Sequence, residues 1–146
     1  MLKDSVKLTG RLTIKKFNLK QELIYQTEVE NLVVTVGKSF IGSRIVSDSA
    51  TPMGYMAIGD NAAVSALSQT DLGNELARVA TNTATAVDNN VTFTASFGAG
   101  VGTGSLQEAG IFNDDETGTM LCRTTFPVIT KSSGETIAIS WVVSVG

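Results

Sequence analysis

Over the end of the chain, apolar and polar side chains alternate with a period of two. Ile137, Ile139, Trp141, Val143 and Val145 fall on one side of an extended segment, and Ala138, Ser140, Val142 and Ser144 on the other. That alternation predicts a strand over Glu135 to Val145 with one strongly apolar face, which places Trp141 in a core. Val91, Phe93, Ala95 and Phe97 alternate in the same way with Thr92, Thr94 and Ser96, predicting a single strand from Val87 to Phe97. Near the N-terminus, Val6, Leu8, Leu12 and Ile14 alternate with Lys7, Thr9, Arg11, Thr13 and Lys15. After Asn18-Leu19-Lys20-Gln21, a loop of the common four-residue kind, Leu23, Tyr25, Thr27 and Val29 alternate with Gln26, Glu28 and Glu30. The two runs predict a hairpin. Pairing Phe17 with Glu22 sets Arg11 opposite Glu28, Leu12 opposite Thr27 and Ile14 opposite Tyr25. A lone hairpin is marginal in water, so its apolar face needs cover.

Between these strands the periodicity changes. Val36, Phe40, Ile41 and Ile45 fall near helical spacing behind Thr35 as an N-cap, predicting one short helix within Val33 to Val46. Tyr55 to Ile58 reads as a short strand closed by the turn Gly59-Asp60-Asn61, and Glu75 to Ala80 as another. Ala62 to Leu76 reads as a long loop with one helical turn. Gly98 to Gly104 is a flexible connector, followed by strands over Leu106 to Phe112 and Met120 to Val128. About seven or eight strands with regular turn signals predict an all-β fold, an antiparallel β-sandwich with an N-terminal β-hairpin and one short helix. Residues 1–146 make a single domain, with 1–34 expected to project as the hairpin.

Composition adds two facts. Charged residues are only 17% of the 146, with hydrophobic residues at 42%. A surface this poor in charge is either neutral Thr, Ser and Asn or covered by a partner, as in obligate assemblies. Charge is also unevenly placed. Lys3, Lys7, Arg11, Lys15, Lys16 and Lys20 stand among the first twenty residues against Asp4 alone, whereas the remainder carries five basic and thirteen acidic residues. A basic head on an acidic body can dock on a neighbouring copy. Nucleic acid is not expected as a partner, because aromatic residues do not interleave the cluster and the body repels phosphate. No segment reaches transmembrane length, so no membrane partner is expected. The first residues lack an apolar signal region, so cytoplasmic synthesis is the default.

Candidate chemistry is sparse. The chain has no histidine, which removes the commonest general base and metal ligand. Cys122 is alone, excluding an internal disulfide, and its strand context reads as a small buried hydrophobe. Asp114-Asp115-Glu116-Thr117-Gly118 is the densest acidic cluster. Its consecutive carboxylates lack the alternation of a calcium loop and read as a solvated turn. The glycines at 98, 100, 102 and 104 miss the dinucleotide pattern, since position 103 is Thr and no helix follows. Glu108 and Arg123 are charges set within otherwise apolar strands; they form a partly buried pair or reach across a subunit boundary. No catalytic residue, metal site or cofactor is expected.

The segment Glu108-Ala109-Gly110-Ile111-Phe112, a Gly turn, Met120-Leu121-Cys122-Arg123, Phe126-Pro127, Lys131 and a Trp-bearing last strand resembles a pattern in structural proteins of tailed bacteriophages. Leu8-Thr9-Gly10-Arg11-Leu12 and Asn31 to Lys38 also resemble segments of small phage virion proteins; the middle third of the chain is unmatched. The resemblance implies a non-enzymatic virion component. A capsid decoration (cement) protein is preferred, self-associating as a homotrimer and binding other virion proteins such as the major capsid protein. A tail, baseplate or tail-collar component that links fibres to the particle is the alternative. The expected contact residues are Lys7, Arg11 and Lys15 on the basic face, Glu28 opposite them, and Glu108 with Arg123. A carbohydrate- or receptor-binding sandwich that uses Tyr55 is the reading from another class, and an enzyme ranks third.

Overall fold

The structure, a computed structural model, describes residues 4–47 and 49–146; Lys3 of the basic cluster lies outside them. Among the described residues, ten strands and one helix follow in the order β1 (Leu8–Phe17), β2 (Leu23–Glu30), β3 (Leu32–Val33), α1 (Thr35–Arg44), β4 (Tyr55–Gly59), β5 (Glu75–Ala80), β6 (Thr83–Val87), β7 (Asn90–Phe97), β8 (Gly104–Phe112), β9 (Met120–Lys131) and β10 (Thr136–Val145). They form two five-stranded antiparallel sheets, ordered β2-β1-β10-β7-β6 and β3-β9-β8-β4-β5. The fold is the all-β sandwich with one short helix that the periodicity predicts.

The inward faces meet in one core. Leu12 and Ile14 of β1, Phe93 and Phe97 of β7, and Ile137, Ile139, Trp141 and Val143 of β10 pack on Met56, Ile58, Leu106, Ile111, Phe126 and Ile129 of the second sheet. Each such side chain contributes about 1.5–3 kcal/mol by leaving water. Trp141 is fully buried and its Nε1 donates to Asn31 Oδ1 at 2.8 Å. Asn31 lies where a side chain on Gly10 would be, so the missing Cβ of Gly10 admits that acceptor.

Several expectations change in detail. The N-terminal hairpin does not project: β1 pairs with β10 along all ten of its residues, and Leu12 and Ile14 belong to the core. Its loop runs from Asn18 to Glu22, Phe17 pairs with Leu23, and a bulge follows Lys16. Arg11 therefore faces Glu30 rather than Glu28, Leu12 faces Val29, and Ile14 faces Thr27. From Arg11 to Lys16 the displacement is two residues, which leaves those side chains on the faces expected for them; past the bulge it is one, which puts Leu23 with Phe17 on the opposite face. The strand expected from Val87 to Phe97 is instead a hairpin of β6 and β7, turning at Asp88-Asn89. Helix α1 begins at Thr35, but its N-cap is Val34, with no side-chain hydrogen bond. No helical turn occurs between Ala62 and Leu76. Strand β9 runs on past Val128 because Phe126-Pro127-Val128 bulge between the Glu108–Thr125 and Leu106–Ile129 pairs. The bulge accommodates a proline that a regular ladder excludes.

Candidate functional site

The outward face of the second sheet is unusually apolar for an outer face. Ala57 of β4, Phe112 of β8 and Met120 of β9 form a second buried cluster with Val34 and Leu72. The cover is the segment between β4 and β5, residues 60–74, which has no regular structure of its own. Irregular backbone over an apolar face needs partners for its polar groups, and Glu108 and Arg123 supply them. Glu108 sits on the outward face of β8 beside Gly59, and both charged side chains are fully buried.

Their geometry is that of a latch. Arg123 Nη2 and Nε donate to Glu108 Oε1 at 3.0 and 3.2 Å. The carboxylate also accepts from three loop amides: Asn61 N at 3.0 Å, Gly73 N at 2.7 Å and Asn74 N at 2.8 Å. Arg123 Nη1 donates to Ala63 O at 2.7 Å and Gln69 Oε1 at 3.2 Å. The pair therefore closes both ends of the loop over the sheet and satisfies its backbone there. A buried pair of this kind is tolerated only when its remaining donors and acceptors are met, as here. Of the two roles open to Glu108 and Arg123 from sequence, the buried pair within the chain is the one present. Neither side chain reaches the surface.

The other four expected contact residues lie together on a different face. Arg11 and Lys15 project from the outward side of β1, Glu28 from the outward side of β2, and Lys7 immediately precedes β1; all four are exposed. Thr13 Oγ1 donates to Glu28 Oε1 at 3.5 Å. Among the described residues, none of the four takes part in a salt bridge. Lys7, Arg11 and Glu30 rim a polar cleft of about 720 Å³ whose floor includes Thr9, Thr13, Ser140 and Ser144. Low charge content is thus explained by a Thr- and Ser-rich outer face with a basic stripe along it.

Other charged groups serve the frame. Arg78 lies 3.7 Å over the Phe112 ring, pairs with Glu75 at 2.6 Å and donates to the carbonyls of Asp114 and Thr117 at 2.9 and 2.8 Å. The acidic cluster is a turn: Asp114 Oδ1 accepts from the amides of Glu116 and Thr117, both at 3.0 Å, which holds its carboxyl below the usual range. The Lys131 ammonium is buried and donates to Gly98 O at 2.8 Å; burial pushes its pKa down against the pull of Glu135. Burial pushes the Cys122 thiol strongly up, so it packs as a neutral hydrophobe. Tyr55 is half-buried against the second apolar cluster rather than displayed. Among the described residues, no three His, Cys, Asp or Glu side chains are grouped to hold a metal ion, and no helix is long and apolar enough to cross a membrane.

Sequence reasoning missed two features. One is the loop latch, whose signal was two charges within otherwise buried strands 15 positions apart. The other is an apolar groove of about 470 Å³ between α1 and the edge strand β6, lined by Phe40, Ile41, Met53, Ala84, Ala86 and Val91. Its small alanines carried no apolar signal of their own. In comparisons with known proteins, no family model matches the chain, and no curated protein or solved structure matches it either.

Proposed function

We propose that this chain is a non-enzymatic structural component of a tailed-phage virion, a capsid decoration protein that self-assembles and stabilises the particle. The observation that carries the reading is the basic stripe of Lys7, Arg11 and Lys15. These cations are exposed on a rigid sheet and are without salt-bridge partners among the described residues; Thr9, Thr13, Ser140 and Ser144 lie beside them, and Glu28 and Glu30 flank them on β2. Such a stripe suits an acidic shell surface, where unpaired cations steer docking and fix its orientation. The sandwich beneath supplies stiffness: β1, which bears the stripe, is zipped to β10 and cannot move independently of it. The resemblance of the C-terminal strands to phage structural proteins supports the same reading.

The test uses particles of the encoding phage assembled without this chain. Purified chain should cosediment with them, raise the temperature at which they release DNA, and bind less as salt increases. Neutralising the stripe with Lys7→Ser, Arg11→Ser and Lys15→Ser should weaken binding by roughly tenfold or more. Unaltered binding by that variant would remove the basis of the reading. A collar position in the tail relies on the same surfaces, and immunogold labelling of particles separates tail from capsid. The polar cleft beside Arg11 favours one further reading, a saccharide site. A glycan array that shows binding lost on Arg11→Ala would support it.

A further inference from the structure

The two edges of the first sheet are both open, one bearing exposed apolar side chains and the other lying over an apolar groove. At one edge, the start of β2 is uncovered: Leu23, Ile24 and Tyr25 are exposed to 50%, 47% and 40%. The cause lies in the fold, because the second sheet ends on that side in the two-residue strand β3 and leaves nothing for this stretch to pack on. An unpaired edge that carries apolar side chains on both faces is a template for another chain. At the opposite edge, all five residues of β6 are exposed and uncharged, and the apolar groove runs beneath them. Neither edge is blunted by lysine or proline, the usual protection against association.

Charge chooses the occupant. Strand β2 carries Glu28 and Glu30 and no cation, whereas helix α1, which walls the groove, carries Lys38 and Arg44 and no acid. All four are exposed, and none is in a salt bridge among the described residues. A β2 edge set against a second β2 brings no cation from either strand to Glu28 or Glu30. Set against α1 it meets base.

We infer that the groove between α1 and β6 receives the apolar start of β2 from a second copy of this chain. The contact is heterologous, joining different patches that lie at opposite edges of one sheet. A repeated head-to-tail contact of this kind closes as a ring where its rotation brings the last copy back to the first, and otherwise runs on as an open chain of copies; with the two patches at opposite edges, the smallest ring holds three. This deepens the assembly reading above, but it rests on the chain's own surfaces and not on any virion.

The experiment is the mass of the full chain in solution, by light scattering and native mass spectrometry, for the wild type and two exposed-site variants. Ile24→Arg blocks the inserted strand and Ala84→Arg blocks the groove. The wild type should be an assembly of at least three chains, closed or open, and each variant alone a monomer. Mixed in equal amounts, the variants should form a species of two chains, because each retains the half that the other lacks. Tyr25→Arg and Ala86→Arg serve as a second pair if circular dichroism shows either first variant unfolded. A monomeric wild type, an Ala84→Arg variant that assembles like wild type, or a mixture that stays monomeric would each overturn the inference. A monomer that still binds phage particles overturns the assembly alone; an assembly that ignores particles overturns the virion reading alone.

Discussion

Glu108 shows how much one buried carboxylate can organise. It accepts from Arg123 and from three backbone amides at the two ends of one loop, so its removal strands a cation and three N–H donors together. Glu108→Ala should cost about 3–5 kcal/mol, the range for breaking a buried pair, read from urea unfolding. Replacing both partners, Glu108→Leu with Arg123→Leu, removes the orphaned charge but leaves the amides of Asn61, Gly73 and Asn74 without an acceptor. The double variant should therefore stay well below wild-type stability; full recovery would mean that the pair alone matters. Lys131 gives a pH signature. Its pKa in the fold lies below the ordinary lysine value, so the unfolded chain holds more protons between those two values. Wild-type stability should rise with pH across that alkaline window, and Lys131→Met should flatten the rise. Asp114 acts at the other end of the scale. Its stabilising contribution is present above the ordinary carboxylate value and is lost as pH falls through the lowered one.

At the scale of elements, the loop over residues 60–74 behaves as a lid held at its ends by Glu108 and along its middle by Arg123 and by Thr35 N, which donates to Leu67 O at 2.9 Å. Val64 and Leu67 are exposed to 82% and 47%, whereas Leu72 is buried in the cluster below. Limited proteolysis should leave the wild-type loop largely intact, since cleavage needs several residues released together. In Glu108→Ala the same loop should be cut first, well before global unfolding. The N-terminal hairpin is the opposite case. Because β1 lends Leu12 and Ile14 to the core and pairs with the whole of β10, a chain lacking residues 4–34 should show no dispersed amide spectrum. Probing assembly therefore requires surface substitutions in the hairpin and not its deletion.

For the whole molecule, the strand order joins the two ends of the chain. Leu8 pairs with Val145, and Gly146 N donates to Lys7 O at 2.7 Å. Strands whose outer ends lie side by side can be linked without strain. A circular permutant that joins them through a short glycine-serine linker and opens between Asp115 and Glu116, both exposed, should fold to the same sheet content by circular dichroism. The unpermuted chain must pair its first long strand with its last, so folding belongs to the slow regime of non-local β proteins, about milliseconds to seconds.

What could be read from the residues is what a period of two encodes locally. The faces of β1, β7 and β10, the burial of Trp141 and Cys122, the turn at Asp114 and the position of the one helix all follow from side chains within a few positions of each other. From Arg11 to Lys16 the hairpin register came out two residues away, because a slip of two keeps those faces and so leaves no trace in the pattern. Which strands become neighbours, and which edges stay open, depends on contacts between distant residues. So does the fate of Glu108 and Arg123, whose burial is set by a loop more than thirty positions away from either. Charge and alternation mark such a pair as exceptional; only the packing of residues 60–74 over the second sheet makes it a latch within the chain.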